Sequence, residues 1–270
     1  MSAFDLLDQW PAPTVAAAIV MPSGEVLRHG DTSRVFALAS LTKLFTAAAV
    51  LLGVEEGSLE LDTSVDERGA TVADLLSHAG GLAPNGTLLD EPGRRRIYSN
   101  AGYEQLADAL AAATEMPFAT YLSEGVFTPL GMHSTALTSS PAFGAESCVD
   151  DLVAFIGGLG TMLDPTTTAK MTSIHLPELI GVLPGYGRQA PNPWGLGPEI
   201  RGTKAPHWTG KQNSASTWGH FGQAGTFLWV DPEAHVSCVV LTDLPFDQWA
   251  KPLWPVFSDA VLSDSVHKVL

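Results

Sequence analysis

The chain has 270 residues, of which 45% are hydrophobic and 16% charged, and its formal net charge at pH 7 is −15. This composition is that of a globular protein with ample material for a core, and it excludes intrinsic disorder. The negative charge argues against nucleic acid as a partner, because binding a polyanion requires a basic surface.

The first residues, "MSAFDLLDQWPAPT", contain neither the basic nor the apolar region of a secretion signal. No stretch approaches the roughly 18 apolar residues of a membrane span. We therefore expect a cytoplasmic protein without a membrane partner. The segments "TVAAAIVM" and "VLRHG" are predicted strands joined by a turn at "PSGE", and "RVFALA" is a third, shorter strand.

Residues 41–56 are a predicted helix that ends at Gly57, where glycine suits a left-handed cap. Apolar residues recur at helical spacing and predict one core-facing side. Residues 59–204 are predicted to be mainly helical with long loops. "TVADLLSHAGG" begins with a capping box of Thr71 and Asp74, and "NAGYEQLADALAAAT" and "DDLVAFIGGLGTML" are further helices.

Two stretches of this middle region lack periodicity. The arginines Arg94 to Arg96 of "GRRRIY" are predicted to form a solvated edge, because three charges in a loop rarely make a binding patch. Residues 184–213 are rich in Gly, Pro and Trp, and we expect a long ordered loop that shapes a site.

Strands return near the C-terminus, at "STWGHFGQAG", "TFLWV" and "HVSCVVLTD", with a turn at "DPEA". A closing helix, "FDQWAKPLWPVFSDAVL", is predicted to be kinked or broken at Pro252 and Pro255. The sequence thus predicts an α/β fold. Residues 1–58 and 205–270 form a sheet domain, residues 59–204 a helical insertion, and the active site lies between them.

The two cysteines, Cys148 and Cys238, stand far apart in apolar surroundings. No C-x-x-C motif or Cys/His cluster is present, and His207 and the other histidines show no metal-ligand spacing. We expect two buried thiols, no metal and no cofactor.

The apolar run "ALASLTKLFTAAAVLLG" contains Ser40 and Lys43, three residues apart. On a helix these positions share a face, and Ser40 would lie at the N-terminal end, where the helix dipole favours negative charge. A lysine among apolar side chains has a lowered pKa and supplies a neutral amine. The pair therefore predicts a serine nucleophile with its base.

Two further motifs contain candidate catalytic or binding residues. Tyr98 and Asn100, in "IYSNAGYEQL", offer a phenol that moves protons and an amide that holds a lysine and a substrate carbonyl. The alternative is a packed tyrosine and a helix-capping asparagine. His220 and Gly222, in "WGHFGQAG", lie on a predicted edge-like strand, where glycine permits close approach of a backbone or a ligand.

The ordered set S-x-x-K, Y-x-N and H-x-G resembles the penicillin-recognising serine hydrolases. The branch holds class C β-lactamases, D,D-carboxypeptidases, D-aminopeptidases and family VIII carboxylesterases. "VADLLSHAGGL", "PLGMHSTAL" and "GTFLWVDPEAHVSCVVLTD" also resemble family segments. The resemblance implies a β-lactamase/transpeptidase-like fold, in which an antiparallel sheet formed by both termini is flanked by helices.

The resemblance also implies roles for individual residues. Ser40 would be the acylated nucleophile, Lys43 its base or proton relay, and Tyr98 a second acid/base. Asn100 would orient Lys43 and the substrate. The backbone N–H groups of Ser40 and Gln223 would form the oxyanion hole.

The sequence departs from the β-lactamases at two substrate-binding positions. His220 stands in place of the lysine of K-T-G, and Phe221 replaces a hydroxyl residue; both changes weaken the binding of a substrate carboxylate. The leading hypothesis is therefore a carboxylesterase acting on small acyl esters. A D-amino-acid peptidase or amidase, a weak β-lactamase and a non-catalytic binding module remain alternatives, and the sequence does not indicate the oligomeric state.

A different hydrolase fold is not indicated, because the G-x-S-x-G motif of α/β-hydrolases is absent. Three tryptophans have two interpretations, as the lining of an acyl pocket or as packed core aromatics: Trp194, Trp208 and Trp218.

Overall fold

A six-stranded antiparallel sheet joins the two ends of the chain in a computed structural model that describes residues 2–267, with the side chains of residues 2–265. Its order is β2-β1-β11-β10-β9-β8. The strands are β1 Val15–Val20, β2 Val26–His29, β8 Glu199–Ile200, β9 Trp218–Gly222, β10 Thr226–Asp231 and β11 Val236–Thr242. Strand β1 pairs with β11 from Val15↔Thr242 to Val20↔Ser237. The predicted α/β fold with an antiparallel sheet formed by both termini is confirmed.

Short strands and helices fill the middle of the chain. Two small sheets contain β3 Phe36–Ala37, β4 Ala136–Leu137 and β5 Ala145–Ser147, and β6 Gly181–Leu183 with β7 Gly187–Gln189. The helices are α1 Thr42–Glu55, α2 Val72–Leu76, α3 Asn100–Thr114, α4 Phe118–Leu122, α5 Val149–Met162, α6 Pro165–Met171 and α7 Ala250–His267. Within residues 2–267, no helix is both long and apolar enough to cross a bilayer.

The sheet separates two apolar cores. Alternate side chains of each strand point to opposite faces, so Val239 and Leu241 of β11 join one core while Cys238 and Val240 join the other. The first core packs around α1, and the second packs beneath α7 and the N-terminal 3₁₀ helix Ala3–Gln9. The protein is thus layered with helices on both faces of the sheet.

Helix α1 is buried on nearly all sides, whereas the sequence predicted a single core-facing side. Its eleven buried residues include Lys43 and Thr46. A helix that is apolar all round belongs in the centre of a protein. The helix ends near the predicted glycine cap, because Gly57 has a φ of +77°.

Three predictions about local structure are wrong in part. Helix α7 is one continuous helix with Pro255 inside it, and it is not broken at either proline. Residues 59–204 contain the strands β4 to β8 as well as helices, and β8 belongs to the main sheet. Strand β9 is an interior strand between β10 and β8, although β8 pairs only with Gly219 and Trp218.

Two predictions about side chains have opposite outcomes. Cys148 and Cys238 are free and buried, as expected. Arg96 is not a solvated residue, since it is 2% exposed and its guanidinium donates to the carbonyls of Ser77 at 2.8 Å and Leu176 at 3.0 Å. The division into a sheet domain and an insertion stays a prediction.

The predicted capping box of α2 is present, and it can be tested. The Thr71 hydroxyl accepts a hydrogen bond from the backbone N–H of Asp74 at 3.1 Å. We expect Thr71→Ala to lower the free energy of unfolding by about 1 kcal/mol, because the N–H loses its partner. Thermal unfolding should show a melting temperature lowered by about 2–4 °C. Thr203→Ala, at an exposed turn residue, is the control, and equal effects of the two variants would contradict the capping role.

Candidate active site

Ser40 lies in a short 3₁₀ turn, Ala39–Leu41, that leads directly into α1. The sequence placed it at the start of the helix itself. The residue before it, Ala39, has a φ of +48°, a left-handed conformation that is unfavourable for a residue with a Cβ atom. Such strain persists where surrounding contacts hold the backbone, often at functional sites.

Strands β9 and β10 hold the backbone next to this turn. The Thr226 hydroxyl donates to the carbonyl oxygen of Leu38 at 2.9 Å. A Cβ atom on Gly222 would lie 2.2 Å from the same oxygen, so only glycine permits this approach. The close contact expected from a glycine in this strand therefore occurs, and it brings Ser40 beside β9.

Lys43 is fully buried one helical turn after Ser40. Its Nζ lies 3.4 Å from the Ser40 Oγ and donates to Asn100 Oδ1 and to the carbonyl oxygen of Ala142, each at 2.8 Å. Burial lowers the pKa of the Lys43 amine well below its usual range. The amine is therefore able to accept the proton of Ser40.

Tyr98 lies over the same amine, with Lys43 Nζ 4.7 Å from its ring centroid. Burial raises the pKa of the Tyr98 phenol well above its usual range, and a hydrogen bond with Ser40 opposes this only in part. The phenol thus keeps its proton at neutral pH, and its chemistry is that of a proton donor or relay.

His220 presents a defined tautomer. Its Nδ1 lies 2.7 Å from the carbonyl oxygen of Phe221, and because a carbonyl only accepts, Nδ1 carries the hydrogen. Burial and the nearby Lys43 lower the pKa of His220 to about 4. The ring is neutral at pH 7, so Nε2 is an acceptor, and within the described chain it has no partner.

The residues around His220 occupy two different environments. Phe221 is 8% exposed and packs against Phe246, with ring centroids 5.0 Å apart, and against Tyr186 and Trp254. Gln223 is fixed at the end of β9 because its Nε2 donates to the Phe246 carbonyl at 2.7 Å. Phe221 therefore contributes to the aromatic core as well as to the site.

A cavity of about 260 Å³ joins most of these groups. It is lined by Ser40, Pro84, Tyr98, Asn100, Leu183, Pro184, Trp194, Glu199, His220, Phe221 and Gln223. Of the predicted site residues, Lys43 and Gly222 are not among those that line the cavity. A larger cavity of about 490 Å³, lined by Leu61, Lys170 and Leu196 among others, lies outside this cluster of reactive groups.

Glu199 is a lining residue that the sequence analysis did not identify. Its carboxylate accepts hydrogen bonds from Lys204 Nζ at 2.5 Å and Trp208 Nε1 at 2.6 Å, and it lies 3.0 Å from His207 Nε2. Burial alone would raise the pKa of Glu199, but the charges of Lys204 and His207 hold it well below its usual range. The sequence signal that could have identified Glu199 is that it is the single acidic residue in the apolar stretch "WGLGPEI".

Other contributors were also missed. His78 stacks against Tyr98 with ring centroids 4.4 Å apart, and its Nδ1 accepts from the backbone N–H of Ser99 at 3.1 Å. Of the three tryptophans for which the sequence offered two interpretations, Trp194 lines the cavity and also packs in the second core, whereas Trp208 and Trp218 belong to the cores. Pro84 and Pro184 come from loops and Leu183 from the short strand β6, in stretches without periodicity, so nothing in the pattern marked them. Within the described residues, no group of His, Cys, Asp and Glu is arranged to hold a metal ion.

A family model and a solved structure each match most of this chain. A sequence model of the family described as Beta-lactamase matches residues 5–252. A solved structure of a beta-lactamase from Mycobacterium bovis is 48% identical, with a TM-score of 0.95, over 98% of this chain and 99% of that chain.

Two further matches are more distant. Penicillin-binding protein 4* of Bacillus subtilis is 31% identical over 138 residues, which are 38% of this chain and 31% of that protein. The chain thus spans about a third of the length of this curated relative. EstCE1, described as a hydrolase with promiscuous acyltransferase activity, superposes with a TM-score of 0.78 at 19% identity over 96% of both chains, which shows a shared fold.

The role of Lys43 can be tested by removing its amine. We expect Lys43→Met, which fills the buried volume, to lower kcat on p-nitrophenyl acetate by about a thousandfold, because Ser40 loses its base. Lys211→Met, at an exposed lysine, should leave kcat unchanged. A folded Lys43→Met protein with near-normal kcat would show that Lys43 is not the base.

The neutral state of His220 can be tested through pH. Since its pKa is about 4 and not near 6.5, the ratio of kcat/KM between the wild type and His220→Gln should stay constant from about pH 5.5 to 8. The ratio should change only on further acidification, when the wild-type ring gains its proton. A ratio that changes near pH 6.5 would contradict the neutral state assigned to His220 at pH 7.

Proposed function

The chain belongs to the Beta-lactamase family of serine hydrolases, and we propose that it is a carboxylesterase that cleaves small, uncharged esters through an acyl-enzyme on Ser40. The observation that carries this proposal is the charge of the cavity. Among the described residues that line it there is no lysine or arginine, and Glu199 is the one with a charged side chain.

A substrate with a carboxylate beside the scissile bond, such as a β-lactam, needs a positive partner. Lys204 does not supply one, because its Nζ donates to Glu199, to the Pro193 carbonyl at 2.8 Å and to the Ile200 carbonyl at 2.7 Å. An ammonium has three N–H donors, so all are used. His220 offers an acceptor lone pair, which repels a carboxylate. An ester without a carboxylate needs no positive partner and is not repelled by the lone pair of His220.

The proposed reaction begins with attack of the Ser40 Oγ on the ester carbonyl carbon while its proton moves to the neutral Lys43 amine. The carbonyl oxygen gains negative charge between the backbone N–H groups of Ser40 and Gln223, which we propose as the oxyanion hole. The C–O bond to the alcohol then breaks, and the departing oxygen receives a proton from Tyr98, which is replenished from Lys43.

Water completes the cycle. It attacks the acyl-enzyme, its proton passes back through Lys43 and Tyr98, and the Ser40 Oγ leaves with a proton. One ester and one water therefore yield one acid and one alcohol. Asn100 holds Lys43 through the 2.8 Å hydrogen bond, which keeps the amine next to both Ser40 and Tyr98.

A D-amino-acid amidase or peptidase is the second candidate. A substrate ammonium would be attracted to the Glu199 carboxylate and to the free Nε2 of His220. The ester is favoured because the Glu199 carboxylate already interacts with three neighbouring donors. The predicted cytoplasmic location belongs to the same proposal, and cell fractionation tests it.

The substrate preference is tested by direct comparison. We expect kcat/KM for p-nitrophenyl acetate to exceed that for nitrocefin by at least tenfold, since a missing charge-assisted hydrogen bond to the nitrocefin carboxylate corresponds to about ten- to a hundredfold. It should also exceed kcat/KM for D-alanine p-nitroanilide, because the Glu199 carboxylate already interacts with three donors. A fluorophosphonate should label Ser40 alone, as read by mass spectrometry, and Ser40→Ala should abolish both labelling and turnover.

Other outcomes exclude the proposal in different ways. Hydrolysis of nitrocefin as fast as that of the acetate would make the protein a β-lactamase. Preference for the anilide would make it an amidase. A folded protein that is neither labelled nor active would be a non-catalytic binding module.

A further inference from the structure

The cavity of about 260 Å³ that Ser40 lines is called the catalytic cavity below. A further cavity, of about 340 Å³, adjoins it. Three residues border both of them: Pro84, Tyr98 and Pro184. The remaining lining residues are Leu89, Arg95, Arg96, Ile97, Gly181 and Val182. We call this cavity the outer groove. The shared residues place the outer groove directly beside the catalytic cavity.

The strand β6 separates the two cavities. Its side chains alternate, so Leu183 lines the catalytic cavity and Val182 lines the outer groove. The strand is fixed to the segment before Tyr98, because the backbone N–H of Arg96 donates to the Ile180 carbonyl at 2.8 Å. A Cβ atom on Gly181 would lie 2.4 Å from the Arg96 carbonyl oxygen, so glycine is required for this approach.

The outer groove has an apolar, exposed surface. Leu89 is 52% exposed and Val182 is 59% exposed, and their neighbours Leu88 and Ile180 are 51% and 40% exposed. Large apolar side chains that cluster beside a reactive cavity indicate a binding surface, whereas scattered ones do not. The cluster therefore favours contact with an apolar group.

The guanidinium groups of the two arginines in the groove already have partners. The guanidinium of Arg96 is buried and donates to backbone carbonyls, among them those of Ser77, Leu176 and Asn192. Arg95 pairs with Asp90 at 2.8 Å, so its charge is compensated. The groove consequently suits an uncharged apolar group better than a phosphate or a carboxylate.

We propose that the outer groove is a subsite for the alcohol portion of the substrate, and that this alcohol carries an uncharged apolar chain of several carbons. The assignment rests on the proposed esterase function. In that reaction Tyr98 gives a proton to the departing alcohol oxygen, so the alcohol lies beside Tyr98. The groove begins at Tyr98, and a chain attached to that oxygen extends into it.

The subsite is tested by measuring kcat/KM for acetate esters of alcohols of increasing length. Each reaction is monitored by titrating the acid that is released. We expect kcat/KM to rise at least tenfold from ethyl acetate to hexyl acetate, because each buried methylene contributes about fourfold at most. Val182→Asp should lower kcat/KM for hexyl acetate at least tenfold and should change kcat/KM for ethyl acetate by no more than about twofold. Val256→Asp, at a 56% exposed valine on α7, is the matched control and should change neither substrate.

A second series, of p-nitrophenyl esters with acyl chains of two to eight carbons, separates the two ends of the substrate. If Val182→Asp impairs long acyl chains and not long alcohols, the groove binds the acyl portion and the proposal is wrong. If chain length has no effect in either series while ethyl acetate is hydrolysed, the groove is not a subsite. Should Val182→Asp fail to fold, Leu89→Ser provides the same comparison.

Failure of the esterase function itself gives a different result. In that case the wild type hydrolyses neither ethyl acetate nor p-nitrophenyl acetate, and Ser40 is not labelled by a fluorophosphonate. If the protein hydrolyses acetate esters normally but shows no preference for chain length, only the subsite proposal is contradicted.

Discussion

The buried amine of Lys43 is the interaction on which the rest of the site depends. An amine removed from water requires hydrogen-bond partners, and Lys43 finds them in Asn100 at the start of α3 and in the carbonyl of Ala142 before β5. Burial lowers the pKa of Lys43, and burial, with the nearby Lys43, also lowers the pKa of His220. One buried group thus connects distant segments of the chain at the site.

The sheet determines where this amine meets its nucleophile. Strands from both ends of the chain pair within it, and the absence of a side chain at Gly222 lets β9 contact the Leu38 carbonyl. The left-handed Ala39 then turns the backbone so that Ser40 precedes α1. The unfavourable φ of Ala39 is consistent with a geometry held by packing on either side of it.

The charges near the cavity are arranged in a closed network. Glu199, Lys204 and His207 interact with one another, and Lys204 also binds two backbone carbonyls of the 193–200 segment. A buried pair of this kind adds little net stability, but removing one partner would leave an uncompensated charge. Within this network all three N–H donors of Lys204 are used.

The sequence by itself determined the strands near both termini other than β8, the main helices, the capping box at Thr71 and the free thiols, because these follow from local periodicity, turn residues and spacing. It also identified Ser40, Lys43, Tyr98, Asn100 and His220 as candidates through the order of three short motifs. Tertiary structure alone decided the hydrogen position on His220, the burial of Arg96 and the presence of Glu199 in the cavity. Each of these depends on a partner or surroundings in space that no local pattern encodes: the Phe221 carbonyl, the carbonyls of Ser77 and Leu176, and the side chain of Lys204. For residues 184–213, which have no periodicity, the sequence predicted a loop that shapes a site but did not indicate that Pro184 and Glu199 line the cavity.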